Sequence, residues 1–157
     1  MRRFSAVASF FIIACQDPTT ESVDTTVCAS GTRWVGGDEE SANMNPGEAC
    51  IACHSRGEGP SFTLAGTVYD ESRQADDCYG SVGATVEITD AKGKVVKLGL
   101  VDSGSFYSHE SLTMPYTAKV IRDGVESKML TPQSNGDCNA CHTVSGVSGA
   151  PGRILAP

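Results

Sequence analysis

Ala84-Thr85-Val86-Glu87-Ile88-Thr89 and Val95-Val96-Lys97-Leu98-Gly99-Leu100-Val101, joined by Asp90-Ala91-Lys92-Gly93, decide how the chain folds. In the first run Val86 and Ile88 alternate with Thr85, Glu87 and Thr89. That period of two gathers the apolar side chains on one face of a strand. The Asp and Gly between the runs are turn formers, so the pair reads as antiparallel neighbours. Further short runs stand at 64–69, 105–108, 116–121 and 125–130, set off by Asp102-Ser103-Gly104, Met114-Pro115 and Asp123-Gly124. Beyond the N-terminal leader no apolar repeat supports a helix of ten or more residues. Six short runs at this spacing predict a mainly β chain, an antiparallel β-sandwich over residues 63–132.

On either side of these runs stands a five-residue stretch of another kind, Cys50-Ile51-Ala52-Cys53-His54 and Cys138-Asn139-Ala140-Cys141-His142. Cys-x-x-Cys-His is the attachment signature of c-type haem. Two thiols three positions apart can each add to one vinyl group of a porphyrin, and the adjacent His then lies under the iron. Two such matches in one exported chain resemble a dihaem c-type cytochrome. The resemblance implies two covalently bound haems c, held by Cys50, Cys53 and His54 and by Cys138, Cys141 and His142, in irregular segments at 28–62 and 133–157.

The N-terminus reads as an export signal at 1–14: Arg2-Arg3, then an apolar run too short to span a bilayer. It ends in Ile12-Ile13-Ala14-Cys15, which resembles the lipobox of bacterial lipoproteins and implies acylation of Cys15. Gln16 after the Cys favours the outer membrane over the inner, with the domain in the periplasm or at the cell surface. An ordinary secretory signal with an incidental Cys15 is the alternative. Residues 15–27 are rich in acidic and hydroxyl side chains and read as a lipidated flexible tether. Trp34, in the loop that follows, reads as a packing residue.

The sandwich carries a second resemblance. Gly66-Thr67-Val68-Tyr69-Asp70, Gly83-Ala84-Thr85-Val86-Glu87-Ile88, Gly93 and Ser103-Gly104-Ser105-Phe106-Tyr107 resemble the carboxypeptidase regulatory-like, transthyretin-type β-sandwich. The likeness covers less than half of the chain. It implies a fold and a binding or scaffolding role, not peptidase activity.

The chain has 157 residues, and its 17 Gly, 7 Pro and 39% apolar residues suit a loop-rich β domain. A core of that size benefits from covalent links. Losing the leader removes two arginines and no acid, taking the formal charge from −7 to −9. Such a surface argues against nucleic acid and anionic lipid and for redox partners with basic docking surfaces. Of seven cysteines, Cys28 and Cys78 are left after Cys15 and the two motifs. In an exported protein they form a disulfide or stay reduced, and the bridge is the simpler reading. The rival to haem is a tetrahedral zinc site of Cys50, Cys53, Cys138 and Cys141, or two further disulfides. Zinc needs no His after each pair, whereas haem attachment uses both.

His54 and His142 are the proximal iron ligands under the haem reading. The third histidine, His109, joins Met44, Met129 and Met114 as candidates for the far side, with core packing or an exposed strand position as the plain alternative. Met ligation would raise the potentials relative to His, and an open iron would admit small ligands. Six antiparallel strands return the chain to its starting end, so both motifs are expected at one end of the sandwich, with Met44 and Met129 each facing the other motif's iron. The function expected is electron transfer in the bacterial cell envelope. A sensory haem protein with one open iron, or a non-redox scaffolding lipoprotein with zinc or disulfides, is the alternative. No catalytic triad, phosphate loop or carboxylate pair points to conventional enzyme chemistry, although an open iron would allow peroxidase-like activity.

Overall fold

In strand β2 (Thr85–Thr89) the even positions Val86 and Ile88 are buried, while Thr85, Glu87 and Thr89 are half-buried on the other face. The alternation of the sequence is the alternation of the sheet. The computed structural model describes residues 27–31 and 40–157. The leader, Cys15, nearly all of the tether and Trp34 lie outside the described residues. β2 pairs antiparallel with β3 (Val95–Gly99) and with β5 (Thr117–Arg122), and β5 with β6 (Val125–Lys128), giving a four-stranded sheet in the order β3-β2-β5-β6.

The second sheet has the order β4-β1-β7, from β1 (Leu64–Tyr69), β4 (Ser105–Ser108) and β7 (Ile154–Leu155). β1 runs antiparallel to β4 and parallel to β7. The chain is therefore mainly β, a two-sheet sandwich. Its core draws on both sheets: Leu64 and Val68, Val86 and Ile88, Phe106 and Val120 form one buried cluster. Each such side chain contributes about 1.5–3 kcal/mol on burial. The one α-helix among the described residues is a single turn, α1 (Cys50–Cys53).

All six β1 residues are buried. Leu64 and Val68 face the sandwich core, so something else must cover the opposite face, where Thr67 and Tyr69 point. That cover is the chain around the two motifs, and it makes a third, irregular layer on the small sheet. β7 belongs to this arrangement. The tail after 132, expected to be irregular, returns to pair Ile154 with Val68 and Leu155 with Tyr69. Further up the same edge, Ala65 bridges in parallel to Asp137. The strand beside β1 is thus split in two, and the second Cys-x-x-Cys-His stretch is the loop that splits it.

Cys28 and Cys78 are joined by a disulfide with Cα atoms 5.6 Å apart. The bridge ties the N-terminal loop to the β1–β2 connection. On the outer face of the large sheet Glu87 pairs with Lys97 and Lys119, and Glu126 with Lys119 and Lys128. The two lysines beside Glu126, Lys119 first, hold its carboxyl down at about 2.

Candidate functional site

The helical turn α1 sets Cys50 and Cys53 three residues apart on one side of the backbone, with His54 at its end. Behind His54 the chain doubles back through Gly57, whose φ of 89° lies in the left-handed region. The return brings the Pro60 carbonyl to 2.7 Å from His54 Nδ1. A side chain at Gly59 would meet the His54 ring at 2.7 Å, so the close approach requires glycine there. Phe62 packs on the same ring with centroids 4.5 Å apart.

The second motif opens with a 3₁₀ turn over Cys138–Ala140, and the His142 amide donates to the Cys138 carbonyl at 2.9 Å. His142 Nδ1 lies 2.8 Å from the Gly152 carbonyl. The two motifs share one chemical arrangement. A carbonyl oxygen only accepts, so Nδ1 of each histidine carries the proton, and in the neutral ring Nε2 keeps its lone pair. That is the tautomer in which an imidazole binds a metal through Nε2, oriented by its other nitrogen. His109 is anchored alike, with Nδ1 2.8 Å from the Ser61 carbonyl, and its ring stacks near Phe62 at 5.1 Å. His109 is exposed.

The motifs meet one another. Asn139, the first variable residue of the second motif, is only 2% exposed. Its Oδ1 accepts the Thr67 amide of β1 at 3.0 Å, and its Nδ2 donates to Thr67 Oγ1 at 3.1 Å and to the Glu48 carbonyl at 2.8 Å. Asp137 Oδ2 accepts the Ala52 amide of the first motif at 2.9 Å. Thr67 Oγ1 also accepts the Gly47 amide at 2.9 Å. With both acceptor positions taken, its proton goes to Ser105 Oγ, 3.1 Å away. A short polar network thus pins both motifs to the buried outer face of β1.

Burial pushes the Cys50 thiol up to about 12, with the Asp137 charge adding to it. Burial likewise pushes Cys138 up to about 12, opposed by its hydrogen bond to Tyr116 and reinforced by Asp137 and Cys50. Both thiols are therefore protonated at neutral pH. Neither has the depressed pKa of a reactive dithiol. Among the described residues one cluster of three ligand-bearing side chains has its ligand atoms within 4.8 Å of one another: Cys28, Asp76 and Cys78. Its two sulfurs are already bonded to each other. The four motif thiols are not gathered into a tetrahedral metal site.

Beside the second motif an open groove of about 490 Å³ runs between Gly47–Ala49, Ala75, Asn139–Ala140 and Thr143–Ser145. Arg153 closes one wall, 4% exposed, stacked 4.7 Å over the Tyr69 ring and paired with Asp77. Of the candidate far-side methionines, Met129 packs against the hydrophobic core, Met114 is exposed beside a cis peptide bond to Pro115, and Met44 is half-buried in the loop before α1. Asn139, Asp137, Thr67 and Arg153 were not singled out by sequence. Their roles arise from partners 72 to 106 residues away in several cases, such as Thr67 N to Asn139 and Arg153 to Gly47. Asn139 offered the one local hint, a polar side chain between two cysteines.

No family model, curated protein or solved structure matches the chain. The functional reading therefore rests on the chemistry of the two motifs.

Proposed function

We propose that the chain is an exported c-type cytochrome with two covalent haems, lipid-anchored through Cys15 in the bacterial cell envelope and serving electron transfer. The observation that carries this reading is the common placement of the two motif histidines, each directly after a Cys-x-x-Cys pair with Nδ1 on a backbone carbonyl, which in the neutral ring leaves Nε2 to ligate. Cys50 and Cys53 would hold one haem by thioethers, and Cys138 and Cys141 the other. Bound haem supplies a one-electron couple between ferric and ferrous iron. The chain contributes the rest. The Pro60 and Gly152 carbonyls fix the imidazole orientation. Asn139 and Asp137 hold the motifs against β1 and against each other, a proximity that suits electron exchange between the two sites. The acidic surface suits partners with basic docking faces.

A second reading, a ligand-binding haem protein, is favoured by the packing of Met129 against the core, which takes one candidate sixth ligand away. Carbon monoxide binding by the reduced protein separates the two: a carrier with both irons filled takes up none. Cys53→Ala and Cys141→Ala test the attachment itself. Each is expected to remove one of two haem-stained equivalents from protein made with c-type maturation machinery, and unchanged staining in both variants would refute the proposal. Membrane fractionation of Cys15→Ser tests the anchor, with release of soluble protein or accumulation of unprocessed precursor as the expected result.

A further inference from the structure

Asp137 immediately precedes the second motif while its Oδ2 bonds to Ala52 inside the first. The residue is 5% exposed, and its Oδ1 is buried with no hydrogen-bond partner among the described residues. Its Oδ2 is satisfied by backbone amides, which an asparagine oxygen would satisfy equally. The hydrogen bonding therefore does not require a charge. Yet Asp137 is the foremost charge acting on both leading thiols, Cys50 and Cys138. Of the nearby cations Arg153 is paired with Asp77, while Arg56 donates to Cys53 Sγ at 3.1 Å and stands at the first site with the opposite sign. Glu48, on the loop before α1, has the same sign as Asp137 and does not offset it.

Burial pushes the Asp137 carboxyl above its ordinary range, opposed by the Ala52 and Ile51 amides, and once ionised in so poorly solvated a site it interacts strongly with charge that changes nearby. One-electron reduction of a haem removes one positive charge from the iron centre and adds no atom. A carboxylate close to the attachment points of both haems thus favours the oxidised form of each. We infer that Asp137 is a tuning charge shared by the two sites, holding both reduction potentials below the values the same iron ligands would give without it. This inference rests on the dihaem reading.

The test is a spectroelectrochemical titration of the haem-loaded wild type, Asp137→Asn, which keeps an oxygen acceptor for the Ala52 amide, and Asp137→Ser, which removes the charge with a smaller side chain. Haem content and far-ultraviolet circular dichroism are measured on the same samples. With two haems retained, both midpoint potentials are expected to shift positive in both variants. Unchanged potentials, or a shift confined to one haem, would overturn the inference. Loss of haem in both variants would also overturn it, making Asp137 a structural cap alone. A wild type without covalent haem would instead refute the dihaem reading itself, a result distinct from all of these.

Discussion

Replacing Asn139 by Leu keeps the branched four-atom outline of the side chain and removes every polar contact of the clamp. The Thr67 amide, on a residue only 1% exposed, loses the oxygen that accepts from it. An orphaned buried donor costs about 1–3 kcal/mol. The bonds to Thr67 Oγ1 and the Glu48 carbonyl add about 1 kcal/mol each at most, and less at Glu48, which water reaches. The expected loss is about 3 kcal/mol, a large share of the ~5–15 kcal/mol that holds a domain folded. It corresponds to a drop in Tm of roughly 10 °C at this chain length. Thermal unfolding followed by circular dichroism, at matched haem content and with the Cys28–Cys78 bridge intact, measures it. Thr67→Val supplies the cross-check, because two atoms of Thr67 bond to Asn139. The double variant should fall short of the summed single losses by about 1 kcal/mol. A Leu variant melting within about 2 °C of wild type, or strict additivity, would refute the clamp.

Further outcomes follow from other parts of the fold. Cys28→Ser with Cys78→Ser opens a link across 50 residues and is expected to cost up to about 4 kcal/mol, read from the shift in urea midpoint; a loss under about 1 kcal/mol would contradict a structural role. In Gly66→Ala the new methyl would meet Cys138 Cβ and the Phe106 ring, both at 2.8 Å, so overpacking by about 1–3 kcal/mol is expected in the same assay. Asp90 Oδ2 accepts the Thr113 amide at 3.0 Å and its Oδ1 accepts those of Lys92 and Lys94, which together hold the carboxyl below its ordinary 3.8. Its folded pKa being the lower one, its stabilisation is complete above the unfolded value and lost as pH falls through the folded value. The gap in urea midpoint between wild type and Asp90→Asn should therefore narrow below about pH 3.8, and a gap independent of pH would count against it.

The strands were legible where alternation and turn residues are local. β1 and β4 have the bounds that their sequence runs suggest, and β2, β3, β5 and β6 differ by a residue or two at their ends. β3 stops at Gly99 rather than Val101, and β6 at Lys128 rather than Leu130, which is almost fully exposed. β7 was not legible. Two residues carry no period, and Ile154–Leu155 becomes a strand because the edge of β1 is waiting for it, some 86 residues earlier in the chain. The two motifs do meet, as the even strand count suggested, but for another reason. The six strands divide between two sheets, so counting reversals does not bring the motifs together. The second motif is instead spliced into the strand beside β1, and Asn139 and Asp137 lock it to the first. Both Cys-x-x-Cys-His stretches were plain in sequence because each is a contiguous run of five residues. The carbonyls of Pro60 and Gly152 were not, since backbone atoms leave no letter in a sequence.

Intact-mass measurement on denatured protein, made with c-type maturation machinery and purified from membranes, bears most directly on the dihaem proposal. A polypeptide beginning at Cys15 with an acyl modification and two haem additions that survive denaturation is the expected result. A chain of bare polypeptide mass, with the four motif cysteines free or joined in disulfides, would contradict it.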